Sequence, residues 1–397
     1  MGWRSDARVR MDALFSACHL LVMPAAPTGR VLVAMSGGVD SSVAAALLRE
    51  RGLDLVGVTL HLWDASGADK VGRCCAPEDR DDARRTCEAL GIPHFVIDER
   101  EAFRATVVDP FVEAYRAGST PSPCVACNQQ VKLGRLVSLA DSLGCSHIAT
   151  GHYARLEHEP GGAPRLLRGR DRQKDQSYFL HGVAPSVLAR MLFPLGALDK
   201  PSTRAEGQRL GVPNFAKKDS QELCFVPDGD VGGFVDRRDD ERGEPRVRAG
   251  AVRSSGGELL GMHEGVHRYT IGQRRGLGLG GGPARYVLRI LPDSAEVIVG
   301  EPRELESDTL VVDEARWIGA RPDAAFEADV QARYRHVAAR AEVTPVGAGF
   351  RARFLEPQRA LAPGQAAVVY LGERVLGGGT ISRTPREVSR PLASESA

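Results

Sequence analysis

Val31-Leu32-Val33-Ala34-Met35-Ser36-Gly37-Gly38-Val39-Asp40-Ser41-Ser42 is the stretch on which the fold turns. Its apolar half, 31–35, is too short for a helix and uninterrupted, the pattern of a strand buried on both faces. The Ser/Gly half opens an Ala/Leu-rich helix running from about Ser41 to Arg51. Strand, glycine loop and helix are followed by a second β-branched run, Leu55 to Leu60, which completes a βαβ unit. Gly37 and Gly38 allow a tight turn whose successive N–H groups face inward as an anion nest. The helix N-terminus adds about half a positive charge, which suits a phosphate. Ser36 and Ser41 can donate hydroxyl hydrogen bonds, and Asp40 can hold Mg²⁺ between phosphates. A Walker loop would end Gly-Lys-Ser/Thr, and this one does not. Cleavage at the γ-phosphate is therefore disfavoured.

The alternation continues outward. Asp79–Leu90 reads as a helix closed by Gly91 and Pro93, His94–Ile97 as a strand, and Phe103–Ala117 as a helix ending at Gly118. A Pro/Cys loop at 120–128 follows, then a helix over Val131–Leu143 and a strand over His147–Thr150. Such a series predicts an α/β fold with a doubly wound parallel sheet. After about residue 225 the character changes to glycine-punctuated short strands. Beyond about 305, alternating runs such as Ala328–Tyr334 and Phe350–Phe354 predict a small antiparallel barrel.

Composition excludes several classes. The chain has 397 residues, enough for two or three compact domains, and a formal net charge of +1. Near-neutrality neither announces nor excludes nucleic acid, because a basic face can be balanced by acids elsewhere. No apolar run approaches the roughly 18 residues a membrane span needs. Cys18, Cys74, Cys75, Cys87, Cys124, Cys127, Cys145 and Cys224 are not spaced as a disulfide framework, and no secretory signal precedes them. A reducing cytoplasm is the expected compartment.

Thr120-Pro121-Ser122-Pro123-Cys124-Val125-Ala126-Cys127-Asn128 sets two prolines before a CxxC, and stiff backbone presents thiols at little entropic cost. Cys224 closes Lys217-Lys218-Asp219-Ser220-Gln221-Glu222-Leu223-Cys224-Phe225, where two nearby lysines would favour a thiolate. Taken alone these cysteines suit metal, redox or simple packing roles. Cys74, Cys75 and Cys87 suggest no role, Cys145 reads as packed, and His61, His94 and His181 as structural.

Together these segments make a specific resemblance. Loop 36–42, the 120–128 segment, Ala149-Thr150-Gly151-His152-Tyr153, Lys174–Leu180, Lys218–Phe225, Gly272-Gln273-Arg274-Arg275-Gly276-Leu277-Gly278, Pro363-Gly364-Gln365 and Gly377-Gly378-Gly379 resemble, in order, the MnmA 2-thiouridylase family of the ATP-pyrophosphatase superfamily. The likeness runs from residue 30 to about 383.

The resemblance implies an adenine nucleotide alpha hydrolase-like PP-loop domain over 29–225, a β-rich tRNA-binding domain over 226–304 and a barrel over 305–385. Residues 1–28 would be a disordered extension and 386–397 a loose tail. It implies ATP bound by Ala34, Met35, Ser36, Gly37, Gly38, Val39, Asp40 and Ser41, with Leu60 and Gly151 near the adenosine. The wobble uridine of a tRNA for Lys, Glu or Gln would be adenylated at O2. Cys224 would carry a persulfide from a cysteine desulfurase or relay protein, and Cys127 would complete transfer. Ser122, Pro123, Cys124, His152, Lys174, Asp175, Gln176, Arg333, Tyr334 and Gln365 would lie near tRNA.

One departure matters. Many members carry Asp where this chain has Cys124. Cys124, Cys127 and Cys224 could instead hold three irons of a 4Fe-4S cluster, which would bind hydrosulfide and need no Cys127–Cys224 disulfide. Both routes stay open on sequence. Two rivals do as well: a superfamily synthetase with another acceptor, which needs no cysteine triad, and a non-catalytic RNA-binding iron–sulfur protein.

Overall fold

The computed structural model describes residues 29–64, 77–158, 162–219, 223–280 and 283–382. The expected extension at 1–28 and tail at 386–397 lie outside these, as do Cys18, Cys74, Cys75, Ser220, Gln221 and Glu222.

Strands β1 (Arg30–Ala34), β2 (Leu55–His61), β3 (His94–Asp98), β4 (Cys145–Ala149) and the short β7 (Met191–Leu192) form a parallel sheet in the order β3-β2-β1-β4-β7. Val31, Leu32 and Val33 are wholly buried, because β1 is central and covered on both faces. Helix α1 (Val39–Glu50) leaves β1 through the glycine loop. Strand order reverses between β1 and β4, so the loops after these two strands flank the crevice where such sheets bind ligands. The doubly wound expectation holds.

The thiol segment departs from its expected form. Residues 120–128 are not one loop: Pro123–Ala126 is helical and runs through a π-helical stretch, Cys127–Lys132, into Leu133–Ser142. Pro123 sits at the first helical turn, the one helical site where a missing N–H costs nothing, so it starts the helix here. A second π-helical stretch, Arg104–Val108, interrupts the preceding helical run, and such turns gather at functional sites.

The hairpin β5 (Ala154–Glu157) and β6 (Arg165–Arg168) reaches out of the first domain. A helix, Val231–Arg242, is capped by the Asp230 carboxylate and ends at Gly243 (φ 67°). Beyond it, β8 (Gly250–Ser254), β9 (Leu259–His263), β10 (Tyr286–Leu291) and β11 (Glu296–Gly300) form a sheet ordered β10-β11-β8-β9. The last six strands are β12 (Glu306–Trp317), β13 (Phe326–Gln331), β14 (Ala339–Val346), β15 (Gly349–Arg359), β16 (Ala366–Leu371) and β17 (Arg374–Ile381). They run β12-β15-β14-β13-β16-β17 and close by pairing β12 with β17, as the alternating pattern predicts. Phe350, Ala352 and Phe354 point inward at every second position.

A strand pairing and a shared core are among the contacts that tie the barrel to the first domain. Strand β17 pairs with β6 at Arg374 and Leu167. Leu32, Leu136, Ile148 and Tyr178 share one buried cluster with the barrel residues Ala366, Val368 and Tyr370.

Candidate nucleotide and thiol site

The glycine loop is held by its own hydroxyls. Ser36 Oγ and Ser41 Oγ lie 3.1 Å apart, Ser41 Oγ accepts from the Ser36 N–H at 3.2 Å, and it donates to the Gly38 carbonyl at 3.0 Å. Gly37 has φ +73°, and a Cβ there would stand 1.9 Å from the Asp79 carbonyl oxygen. Only glycine fits. Gly38 occupies the N-cap of α1 without a side-chain cap, which leaves the first-turn amides unmet by any side chain at that position. Ala34 and Met35 lead into the loop, Met35 buried beneath it and still paired to Val58. Val39 begins α1 with its side chain buried.

The strand beyond the switch point meets this loop directly. A Cβ on Gly151 would come within 2.7 Å of the Asp40 carbonyl carbon. His152 follows, its Nδ1 2.7 Å from Thr150 Oγ1. Desolvation, aided by the charge of Lys132, pushes its imidazole down to about 3. It is neutral at physiological pH.

Asp40 does not stand alone. Its Oδ1 accepts from the Tyr153 hydroxyl at 2.9 Å and from Lys200 Nζ at 2.7 Å. Lys200 also pairs with Asp219 Oδ1 at 2.8 Å, and Asp219 receives Lys174 at 2.7 Å and Arg204 at 3.0 Å. Burial would raise the Asp219 carboxyl, but the hydrogen bonds and charges of Lys174 and Lys200 outweigh it and hold it below the ordinary value.

Lys217 is bound to the far side of the glycine loop. Its ammonium is ion-paired with Asp79 and with Asp82 (2.5 Å) and donates to the Gly37 carbonyl at 3.2 Å, where Asn214 Nδ2 donates at 2.9 Å. Its charge is thus directed at the glycine loop and two carboxylates. Two donors on the Gly37 carbonyl turn that oxygen away from the nest.

Cys127 is buried in a cluster with Phe103, Phe111, Val131 and Phe225, and Cys224 packs on the edge of the same cluster. Leu60 borders it too. The two thiols and the strand end expected near adenosine therefore share one apolar wall. Cys124, one helical turn before Cys127, is exposed. Among the described residues no three His, Cys, Asp or Glu side chains are grouped to hold a metal ion.

The residues expected near tRNA divide in two. Arg333 is exposed and Tyr334 half-buried on the turn after β13, with the Tyr334 ring 4.3 Å from that of Phe179. Burial raises the Tyr334 hydroxyl, and Cys124 is among the charges acting on it. Ser122 precedes the buried Pro123, and the Tyr178 hydroxyl donates to the Ala366 carbonyl at 2.8 Å. These residues form a surface around Cys124. Asp175 and Gln176 turn inward instead. Asp175 is 7 % exposed and accepts from the Gly169 and Ser177 amides, the Ser177 hydroxyl and Arg168. Gln176 Oε1 accepts from the Tyr153 amide at 3.0 Å. Asp175 thus organises the turn that carries Lys174 and Gln176. Gln365 is also committed: its Nε2 donates to the Thr120 carbonyl at 2.8 Å, while the Thr120 amide donates to the Pro363 carbonyl at 2.9 Å.

Sequence reading passed over Tyr153, Lys200, Asn214 and Asp219 as site residues. Tyr153 and Asp219 lie inside quoted motifs, so a signal existed for them. Lys200 belongs to none.

Family models match residues 29–228 (tRNA methyl transferase HUP domain), 243–301 (tRNA methyl transferase PRC-barrel domain) and 307–381 (Aminomethyltransferase beta-barrel domain). A tRNA-specific 2-thiouridylase MnmA from Sorangium cellulosum is 50 % identical over 366 residues, covering 90 % of this chain and 93 % of that protein. One from Acidithiobacillus ferrooxidans is 46 % identical over 357 residues, covering 89 % of this chain and 99 % of its own. The chain belongs to the MnmA family of tRNA-specific 2-thiouridylases. The MnmA relatives are named for thiolation, whereas two of the family models are described as tRNA methyl transferase domains. A 4-thiouridine synthetase–RNA complex with bound ATP is a distant likeness, at a TM-score of 0.32 and 15 % identity over 53 % of this chain and 50 % of that one.

Proposed function

We propose that this chain is a tRNA-uridine 2-sulfurtransferase that activates the wobble uridine by adenylation and then replaces its C2 oxygen with sulfur. The observation that carries the reading is the shared wall: Cys127 lies in one apolar cluster, and both Cys224 and Leu60, on the strand next to β1, pack against it. A carbonyl oxygen is a very poor leaving group, so activation has to precede substitution. The uridine O2 attacks the α-phosphate of ATP and pyrophosphate leaves. The backbone of residues 34–41 binds the phosphates, with Ser36 and Ser41 as hydroxyl donors, and Leu60 and Gly151 flank the adenosine. Asp40 would hold Mg²⁺ brought in with ATP, and the cation would offset charge on the phosphates.

Sulfur transfer follows. The terminal sulfur of a Cys224 persulfide attacks C2 and AMP departs. The Cys127 thiolate then attacks Cys224 Sγ, releasing 2-thiouridine and leaving a Cys127–Cys224 disulfide, which two donor-side thiols reduce as they become a disulfide themselves. Ser122, Pro123, Cys124, His152, Lys174, Arg333 and Tyr334 are assigned to the tRNA face, with neutral His152 as a hydrogen-bonding rather than charged contact. Asp175, Gln176 and Gln365 support that face from behind. The tRNAs are those for Lys, Glu and Gln, the donor is a cysteine desulfurase or relay protein, and the compartment is the cytoplasm. Among the described residues no helix is long and apolar enough to cross a membrane.

The test is direct. Protein, Mg-ATP, tRNA and a persulfide or sulfide source are incubated, the RNA is digested, and nucleosides are read by mass spectrometry. Formation of 2-thiouridine with stoichiometric AMP and pyrophosphate is expected. Pyrophosphate without thiolated nucleoside under reducing, sulfur-supplied conditions would point to a different acceptor chemistry.

A further inference from the structure

Lys200 raises a question the proposed reaction leaves open. A nest of backbone amides and one helix terminus offer only partial charge to a triphosphate. The Walker pattern answers this with a lysine inside the loop, and this loop has none. Lys200 reaches the same place from another element. It is the first residue of the helix Lys200–Arg209, whose Gly207 packs against Val43 of α1, where a Cβ would meet the Val43 side chain at 2.9 Å. The helix is thereby seated on the one that begins at the glycine loop. The Lys200 side chain is only 11 % exposed, and its Nζ bridges Asp40 at 2.7 Å and Asp219 at 2.8 Å.

This bridge is not compatible with every state of the site. A divalent cation on the Asp40 carboxylate, placed at hydrogen-bonding range of an ammonium, would be strongly repelled by it. An ammonium has three donors and no acceptor, so Lys200 can give up Asp40, keep Asp219, and turn the freed donor to a phosphate oxygen. Asp219 is the partner that makes the move inexpensive: it holds the amine within reach, and its own carboxylate stays neutralised by Lys174 and Arg204.

We infer that Lys200 is a further phosphate-binding residue of the nucleotide site, exchanging Asp40 for the phosphates of Mg-ATP while anchored on Asp219. The inference rests on reading the glycine loop as the ATP site.

The test compares ATP with adenosine, which shares the base and ribose but has no phosphate. Affinities of the full-length protein for Mg-ATP and for adenosine are measured by titration calorimetry for wild type, Lys200→Met and Lys200→Arg. A charge-assisted bond to phosphate lost in Lys200→Met should weaken ATP by roughly ten- to a hundredfold and leave adenosine within about twofold. Lys200→Arg should restore most of the ATP preference. If Lys200→Met keeps the wild-type ratio of the two affinities, or loses both ligands together, the inference is overturned. Absence of ATP binding by the wild type would instead sink the nucleotide reading and this inference with it.

Discussion

Gly151 lies against the backbone of Asp40 so closely that a Cβ would stand 2.7 Å from both the Asp40 carbonyl carbon and the Ser41 nitrogen. The exit of β4 and the start of α1 are thus in contact across the switch point. Neither has slack. Overpacking of this kind costs about 1–3 kcal/mol, and here the yielding part is the phosphate loop. Gly151→Ala is expected to weaken Mg-ATP by about tenfold or more while far-ultraviolet dichroism stays as in wild type. Calorimetric titration decides it, and unchanged affinity would mean that the loop shifts without consequence.

The thiols separate the two sulfur routes. Cys127→Ser and Cys224→Ser should each abolish 2-thiouridine while leaving tRNA-dependent pyrophosphate release in a single turnover, since adenylation uses neither sulfur. Cys124→Ser is the discriminating variant. Exposed and outside the shared cluster, Cys124 should be replaceable with activity within about threefold, the size of a surface hydrogen-bond change. Complete loss in Cys124→Ser, joined to iron and sulfide in anaerobically purified protein, would favour the three-thiolate route.

Gln365 braces the entry to the thiol helix from the barrel through Thr120. Gln365→Ala should lower stability by about 1 kcal/mol, the net worth of such a bond. It should lower the rate of sulfur transfer more than ATP affinity. Urea denaturation and single-turnover thiolation measure the two effects, and an equal loss in both steps would argue against a local brace.

Buried histidines contribute to the acid response, and two are shifted furthest. Burial pushes His152 down to about 3 and His181 down to about 4, from an ordinary value of 6.5. Both are neutral in the fold, so the unfolded chain binds protons first as pH falls. The stability tied to neutral imidazole is complete above 6.5 and drains away between 6.5 and roughly 3–4. Unfolding free energy should therefore decline between pH 7 and 5, before most carboxylates titrate. His181→Asn should flatten that slope even if it lowers stability throughout. A slope unchanged by the substitution would assign the acid response elsewhere.

Local pattern made the first βαβ unit and the barrel readable, because strand burial and the glycine turn are written within a dozen residues. The thiol segment was misread because proline was taken as loop chemistry, whereas Pro123 starts a helix at the one position that tolerates it. Lys217 was read only beside Cys224, its neighbour in sequence, and its bonds to Asp79, Asp82 and Gly37 reach across more than 130 residues. Asp175 looked like surface and is interior, since nothing local reveals that Arg168 and the Gly169 amide come to meet it. Lys200 has no motif around it at all. Its partners, Asp40 and Asp219, are 160 residues before it and 19 after it, so only the packed helices reveal the bridge.

Because the Thr120 amide and carbonyl are tied to Pro363 and Gln365, the C-terminal barrel cannot be grafted between relatives as an independent module. A hybrid made by joining the first half of one homologue to the barrel of another must match the seam at 120–122 against 363–365, or its thiol helix will begin in the wrong place. Parents that agree at these six positions should give working hybrids more often than parents chosen for overall likeness.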